Sequence, residues 1–300
     1  MINGIINVYK EKGYTSHDVV AKLRGILHQK KIGHTGTLDP DAEGVLPVCL
    51  GTGTKLCDML TDRDKQYRAV LLLGKTTDTQ DITGTVLSES GDIPQEEEVR
   101  TAILGFTGDY DQIPPMYSAL KVNGKKLCDL AREGKTVERS ARHVVIRQIT
   151  IEKMELPEVT MLVSCSKGTY IRTLCHDIGE KLGCGGCMKS LLRTRAGAFG
   201  LEDSLRLSRI REMAEAGTVA EAVIPVDRMF GHLRACRITK AAEKLLHNGN
   251  ALDCRHFCEE DRQTAPGQIR VYDSKGRFCG IYGYHTDRKK YLPVKMFLEG

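Results

Sequence analysis

The sequence predicts an α+β fold, because strand-like and helix-like segments are mixed along the chain without the regular strand–helix repeat of a doubly wound sheet. Val144 to Met154 and Val159 to Cys165 alternate in polarity as neighbouring strands do. Two apolar stripes at helical spacing stand far apart: Val19, Val20, Leu23, Ile26 and Leu27 near the start, and Ile171, Leu174, Cys175, Ile178 and Leu182 after the strand pair.

Element by element, Ser16 is placed to cap the first helix, which ends before Lys30 and Lys31. A Gly/Pro-rich segment from Lys31 to Pro47 follows it directly. Gly51 to Lys55 lacks the spacing of a phosphate-binding loop and reads as a simple turn. Tyr67 to Gly74 reads as a strand, Asp78 to Gly84 as a polar loop, Thr85 to Ser88 as a short strand and Glu96 to Leu104 as an acidic-started helix. Pro114 and Pro115 impose an extended entry to Met116–Val122, and Asn123-Gly124 is a turn signal. A short helix from Lys125 to Glu133 should stop at Gly134, the helix after Tyr170 at Gly183, and one from Ser208 to Ala216 at Gly217. Gln268 to Tyr282 reads as two strands around a turn at Asp273 to Gly276, after an irregular stretch from Ala251 to Pro266.

At 300 residues the chain has ample length for a core, in one large domain or two. The boundary falls near Met229–Gly231, which divides the chain into residues 1–230 and 231–300. No apolar run approaches the roughly 20 residues of a membrane span, and the N-terminus lacks a signal pattern, so a cytoplasmic protein with no membrane partner is expected. Eleven cysteines, an odd number scattered through apparent strands and helices, suit reduced thiols. The net charge of +5 leaves nucleic-acid binding open. Its distribution is more telling, because Lys121–Arg142 holds seven Lys/Arg against three Asp/Glu and Ser164–Gly200 holds six against two. Such patches suit a phosphate backbone, or are simply solvated surface.

The chemistry-bearing candidate is Asp39. Pro40 biases it toward an extended conformation, and Gly33, Gly36 and Gly44 permit turns or close backbone approach. His34 and Thr35 add a flat ring and a hydroxyl nearby. The same residues also suit an ordinary loop in which Asp39 bonds neighbouring amides.

The string Gly33-His34-Thr35-Gly36-Thr37-Leu38-Asp39-Pro40 strongly resembles the motif around the catalytic aspartate of the TruB-type tRNA pseudouridine synthases. Further resemblances follow in the family's order: Asn7–Lys10 with Gly13–Asp18, Asp64–Arg68, Thr77–Asp81, Pro114–Lys121 and Ser166–Arg172. Tyr9 and Glu11 depart from the family's usual Asp and Pro, and Leu192 stands before Arg193 where the family has a pair of arginines that suggests a phosphate contact. The resemblance implies a largely antiparallel sheet of the pseudouridine synthase type with flanking helices, and a small C-terminal β-rich, PUA-like RNA-binding domain. It also implies a monomeric enzyme of the stand-alone bacterial type that isomerises the T-loop uridine of tRNA, position 55, with no cofactor.

By the same resemblance Asp39, Tyr67 and Arg172 are catalytic: Asp39 as the reacting carboxylate, Tyr67 stacking on the uracil, and Arg172 pairing with Asp39. His34, Tyr67, Tyr170 and Leu191 would bind the substrate nucleotide and the RNA bases displaced with it. On residue type alone, Tyr67 at the start of an apolar strand reads as a core residue and Arg172 on an amphipathic helix as a solvated charge. Other classes compete. Asp39 with Asp41 could be the carboxylate pair of a glycoside hydrolase, and the same scaffold without activity would be an RNA-binding or RNA-chaperone protein. Cys184–Cys187 and Cys254–Cys258 are cysteine clusters without the paired spacing of a zinc site, so no metal is expected.

Overall fold

The computed structural model describes residues 1–122, 124–262 and 265–298. Among them nine strands form one sheet, built as follows. Strand β1 (Gly4–Lys10) leads through helix α1 (Ser16–Ile26) to β2 (Ile32–His34) and β3 (Glu43–Leu50), which pairs antiparallel with both strands. A short helix α2 (Cys57–Thr61) precedes β4 (Lys65–Leu73). A small hairpin, β5 (Lys75–Thr77) and β6 (Val86–Glu89), is followed by helix α3 (Glu96–Leu104) and β7 (Gly108–Gln112). A two-residue ladder, β8 (Lys121–Val122) with β9 (Lys125–Lys126), and helix α4 (Leu127–Arg132) lead to β10 (Arg142–Glu155) and β11 (Glu158–Cys165). Helix α5 (Ile171–Lys181), β12 (Gly186–Ala196), β13 (Phe199–Gly200) and helix α6 (Leu207–Glu215) complete the body.

The sheet runs β1-β3-β12-β4-β11-β10-β7, antiparallel throughout except where β12 meets β3. The α+β expectation and the β10–β11 pair are borne out. The core lies in layers. Ile171, Leu174, Cys175 and Ile178 of α5, with Val99 and Ile103 of α3, cover Ala69 and Leu71 of β4 and Met161 and Val163 of β11. Helices α1 and α6 cover Ile6, Val8, Leu46 and Val48 of β1 and β3. The opposite faces of those two strands, Ile5, Val45 and Cys49, are buried as well. That two-sided burial removes the polar alternation by which strands are recognised in a sequence, so β1 and β3 were not anticipated.

Other differences are local. Thr15, not Ser16, caps α1: its side chain accepts from the Asp18 amide at 3.0 Å while Asp18 accepts from the Thr15 amide at 2.8 Å. Ser16 is thereby free to accept from the Leu38 amide at 2.9 Å. Residues 51–56 form a 3₁₀ helix rather than a simple turn. Beyond the extended entry at Pro114 and Pro115 the chain bends at residues 116–119, with the Ser118 amide bonded to the Met116 carbonyl at 2.9 Å, before the short β8. Asn123 of the anticipated turn lies outside the described residues, as do Gln263 and Thr264 of the irregular stretch.

Beyond the body, β14 (Arg234–Arg237), helix α7 (Glu243–His247), β15 (Gln268–Tyr272), β16 (Phe278–His285) and β17 (Lys290–Met296) form a second unit with its own four-stranded sheet. It is the β-rich terminal unit expected from the sequence. Phe278, Ile281 and Phe297 from it share an apolar cluster with Ile5, Val45, Phe199 and Phe230. The Lys55 ammonium of the body adds bonds to the carbonyls of Met296 and Leu298 at 3.0 and 3.4 Å.

Candidate active site

The loop between β2 and β3 carries Asp39, and its shape is set from below. Leu38 and Ala42 are buried on either side of Asp39, so the carboxylate is held between two apolar anchors. The Gly13 amide bonds to the Pro40 carbonyl at 2.9 Å, and Thr35 bonds to the Pro47 carbonyl. Lys10 is fully buried and donates to the carbonyls of Glu11, Tyr14 and Pro40 at 3.1, 2.6 and 3.0 Å. Burial pushes this ammonium down to about 8.

Arg172 comes from the first turn of α5 and meets Asp39 side-on, with Nε at 2.9 Å from Oδ2 and Nη2 at 3.2 Å from Oδ1. The side chain of Arg172 is only 6% exposed, that of Asp39 40%. A desolvated guanidinium thus grips a carboxylate that solvent, or a substrate, still reaches. The remaining Arg172 donors go to the carbonyls of Thr79 (3.0 Å) and Tyr117 (2.8 Å), and Asp81 Oδ2 lies 3.8 Å from its Nε. Three loops therefore converge on one side chain.

Tyr67 sits in β4, with Val163 opposite it on β11 and Arg193 opposite it on β12. It is almost wholly buried, and burial raises its phenol above the usual range. The nearby Arg193 guanidinium opposes that shift, and the Asp39 charge adds to it. Arg193 is itself 1% exposed, with Nε donating to the Val45 carbonyl at 2.6 Å. Arg193 therefore faces inward, in keeping with the departure from the family's arginine pair at Leu192. Gly44 is required here: its φ is +105°, and a Cβ would come within 2.2 Å of the Arg193 carbonyl where β3 and β12 run parallel.

Tyr170 caps α5 next to Arg172, and burial raises its phenol too, with the charges of Arg172 and Asp39 felt there. Leu191 packs at the edge of the cluster containing Tyr67 and Leu38. His34 stands on the flank: its contacts are the Gly36 amide at 3.4 Å and the His17 ring edge-on at 5.1 Å. Burial, with the charge of His17, lowers its basicity. The structure thus gathers Asp39, Arg172, Tyr67, Tyr170 and Leu191 around one centre and sets His34 beside it.

Lys10, Asp81 and Arg193 belong to this centre without having been singled out for it. Nothing local marked Lys10 or Arg193, since Lys10 ends its strand beside Glu11 and Lys12 and Arg193 shares its strand with the exposed Lys189 and Arg195. As for metal, His247, Asp273 and Cys279 of the terminal unit place ligand atoms within 4.8 Å of one another. Asp273 already accepts from the Lys275 and Arg277 amides and from Arg277 Nε, which accounts for it as a turn residue. That group includes none of the cysteines of the two sequence clusters.

Residues 24–171 match the model of the TruB family pseudouridylate synthase N-terminal domain, and residues 172–231 that of the tRNA pseudouridylate synthase B C-terminal domain. Fold and site thus define a pseudouridylate synthase. The tRNA pseudouridine synthase B of Lachnoclostridium phytofermentans is 56% identical, over 99% of this chain and 100% of that one. That of Alkaliphilus oremlandii is 43% identical over 99% of each. A chain in the solved structure of an H/ACA RNP bound to a substrate RNA containing 2′-deoxyuridine superposes with a TM-score of 0.69 at 26% identity, over 98% of this chain and 85% of that one. The chain belongs to the TruB family.

Proposed function

We propose that the protein isomerises uridine to pseudouridine in the T-loop of tRNA, at position 55. The carrying observation is the half-open carboxylate of Asp39 held side-on by buried Arg172. The reaction breaks the C1′–N1 bond, turns the freed uracil, joins C1′ to C5 and moves the C5 proton to solvent while N1 regains one. It needs no outside reactant. Asp39 is placed either to attack C1′ or to assist removal of a sugar proton, and its charge balances the positive charge that develops on the ribose.

The base must first leave its stack, at a cost of a few kcal/mol. Tyr67, Tyr170 and Leu191 supply the walls of a pocket for it, and His34 packs against displaced neighbours. Lys121–Arg142, with the exposed Lys167, Lys181, Lys189 and Arg195 of the second basic segment, carry the positive charge that holds the phosphates of the T-arm; Arg172 and Arg193 of that segment are buried and serve the site instead. The names of the bacterial relatives support tRNA as the substrate. The presence of Asp39, Tyr67 and Arg172 together speaks against a non-catalytic RNA-binding role. The enzyme acts as a cytoplasmic monomer, divided into a catalytic part (1–230) and a PUA-like RNA-binding part (231–300).

Incubating purified protein with unmodified tRNA transcript and mapping pseudouridine tests this reading. Modification of the T-loop uridine is expected. Modification confined to another arm would overturn the assigned position, and none at all would overturn the activity.

A further inference from the structure

Gln112, the last residue of β7, is 1% exposed. Its side-chain amide meets both polar groups of one backbone residue: Oε1 accepts from the Tyr170 N–H at 2.7 Å, and Nε2 donates to the Tyr170 carbonyl at 2.9 Å. Asn and Gln are the side chains whose single amide both donates and accepts in this way. Tyr170 is the N-cap of α5, and its own side chain makes no capping bond. Its carbonyl also accepts the first helical bond, from the Leu174 amide at 3.1 Å. Gln112 therefore fixes the residue from which the helix starts.

Two residues further on is Arg172. In the other direction, five residues after Gln112, the Tyr117 carbonyl accepts from Arg172 Nη2 at 2.8 Å. Gln112 is thus bonded to the start of the helix that carries Arg172 and is joined by a short stretch of chain to one of the carbonyls that Arg172 must reach. Loss of the amide would free these two segments to shift against each other.

We infer that Gln112 is a positioning residue for the isomerisation: it aims Arg172, and through it Asp39, without touching the base. The inference rests on the function proposed above. A small displacement at a site of this kind slows chemistry while leaving distant phosphate contacts intact.

The test is a double-mutant cycle of wild type, Gln112→Met, Arg172→Lys and the double variant, with tRNA transcript as the probe. Single-turnover rate at saturating enzyme, tRNA affinity and thermal midpoint are read for each. Gln112→Met, which keeps length and lacks the amide, should slow the saturated rate by about 10- to 100-fold. It should change affinity by less than about 3-fold, and in the Arg172→Lys background should slow the rate by less than about 3-fold. Equal losses in both backgrounds, or a loss confined to affinity, would overturn the inference while leaving the proposed function standing. A wild type that forms no pseudouridine overturns both. If Gln112→Met does not fold, Gln112→Asn, whose amide is one carbon too short to reach, is taken through the same cycle with the same expectations. If neither folds, the residue is structural and the inference is wrong.

Discussion

Arg172 serves Asp39, the Thr79 carbonyl and the Tyr117 carbonyl at once, and only a planar fork with several donors can do so. In Arg172→Lys a single ammonium on a flexible stem cannot reach all of them, so the single-turnover rate should fall by roughly 100-fold. A variant within a few-fold of wild type would show that the pairing is not needed for chemistry. Tyr67→Phe removes the hydroxyl of a buried side chain beside Arg193 and keeps its ring, at about 1 kcal/mol of stability or less. Its rate should fall while RNA affinity holds, because the ring remains. A wild-type rate in Tyr67→Phe would reduce Tyr67 to a stacking platform. Lys10 gives a pH signature. Its folded value of about 8 lies below that of an exposed lysine, so between about pH 8 and 10.4 the unfolded chain binds more protons and the contribution of Lys10 to stability rises with pH. Activity should move the other way. A neutral amine has two protons for three carbonyls, so the tether on Pro40 slackens and the rate should decline above pH 8 while the fold holds. Lys10→Met should be slower and should lack that decline, and an identical pH profile in the variant would contradict the account. At this scale the sequence marked Asp39 by its Gly/Pro-shaped loop, with the family motif deciding against an ordinary turn, and Arg172 by the motif alone. Nothing local distinguished Arg172 from a solvated charge, and Gln112 gave no signal because its partner is a backbone 58 residues away.

Elements were legible where one face is buried. Helix α5 was readable end to end from its apolar stripe, and β10 and β11 from their alternation. Strands β1 and β3 were not, since they are buried on both faces. Strand β12 escaped because its ladder to β4 shifts register between Met188 and Ser190 and again between Arg193 and Arg195, breaking the period of two. Its start is fixed by the close crossing of α5, where a Cβ on Gly179 would lie 2.1 Å from the Gly186 nitrogen. The first helix was placed correctly but capped by the wrong hydroxyl. That displacement matters, because it is the uncommitted Ser16 that holds Leu38, the residue before the reacting carboxylate.

For the whole molecule, the division into two sheets was visible in the sequence, but the seam between them was not, because its residues come from opposite ends of the chain. Phe278, Ile281 and Phe297 of the terminal unit lie in one apolar cluster with Ile5, Val45 and Phe230 of the body. The two parts should therefore unfold together. Calorimetry should show a single transition, and Phe297→Ala should lower stability by about 3–5 kcal/mol without splitting it. Two separate transitions in wild type would mean that the terminal unit is only tethered.

The central claim is that one carboxylate on a loop shaped by its surroundings carries the chemistry. Asp39→Asn keeps the size and polarity of that side chain and removes its charge. The most direct measurement is the single-turnover yield of pseudouridine in tRNA at saturating enzyme, wild type against Asp39→Asn, with binding measured alongside. The account predicts tRNA affinity close to wild type and a rate lower by roughly 10³-fold or more. Pseudouridine formed by the variant at a rate near that of wild type would contradict it.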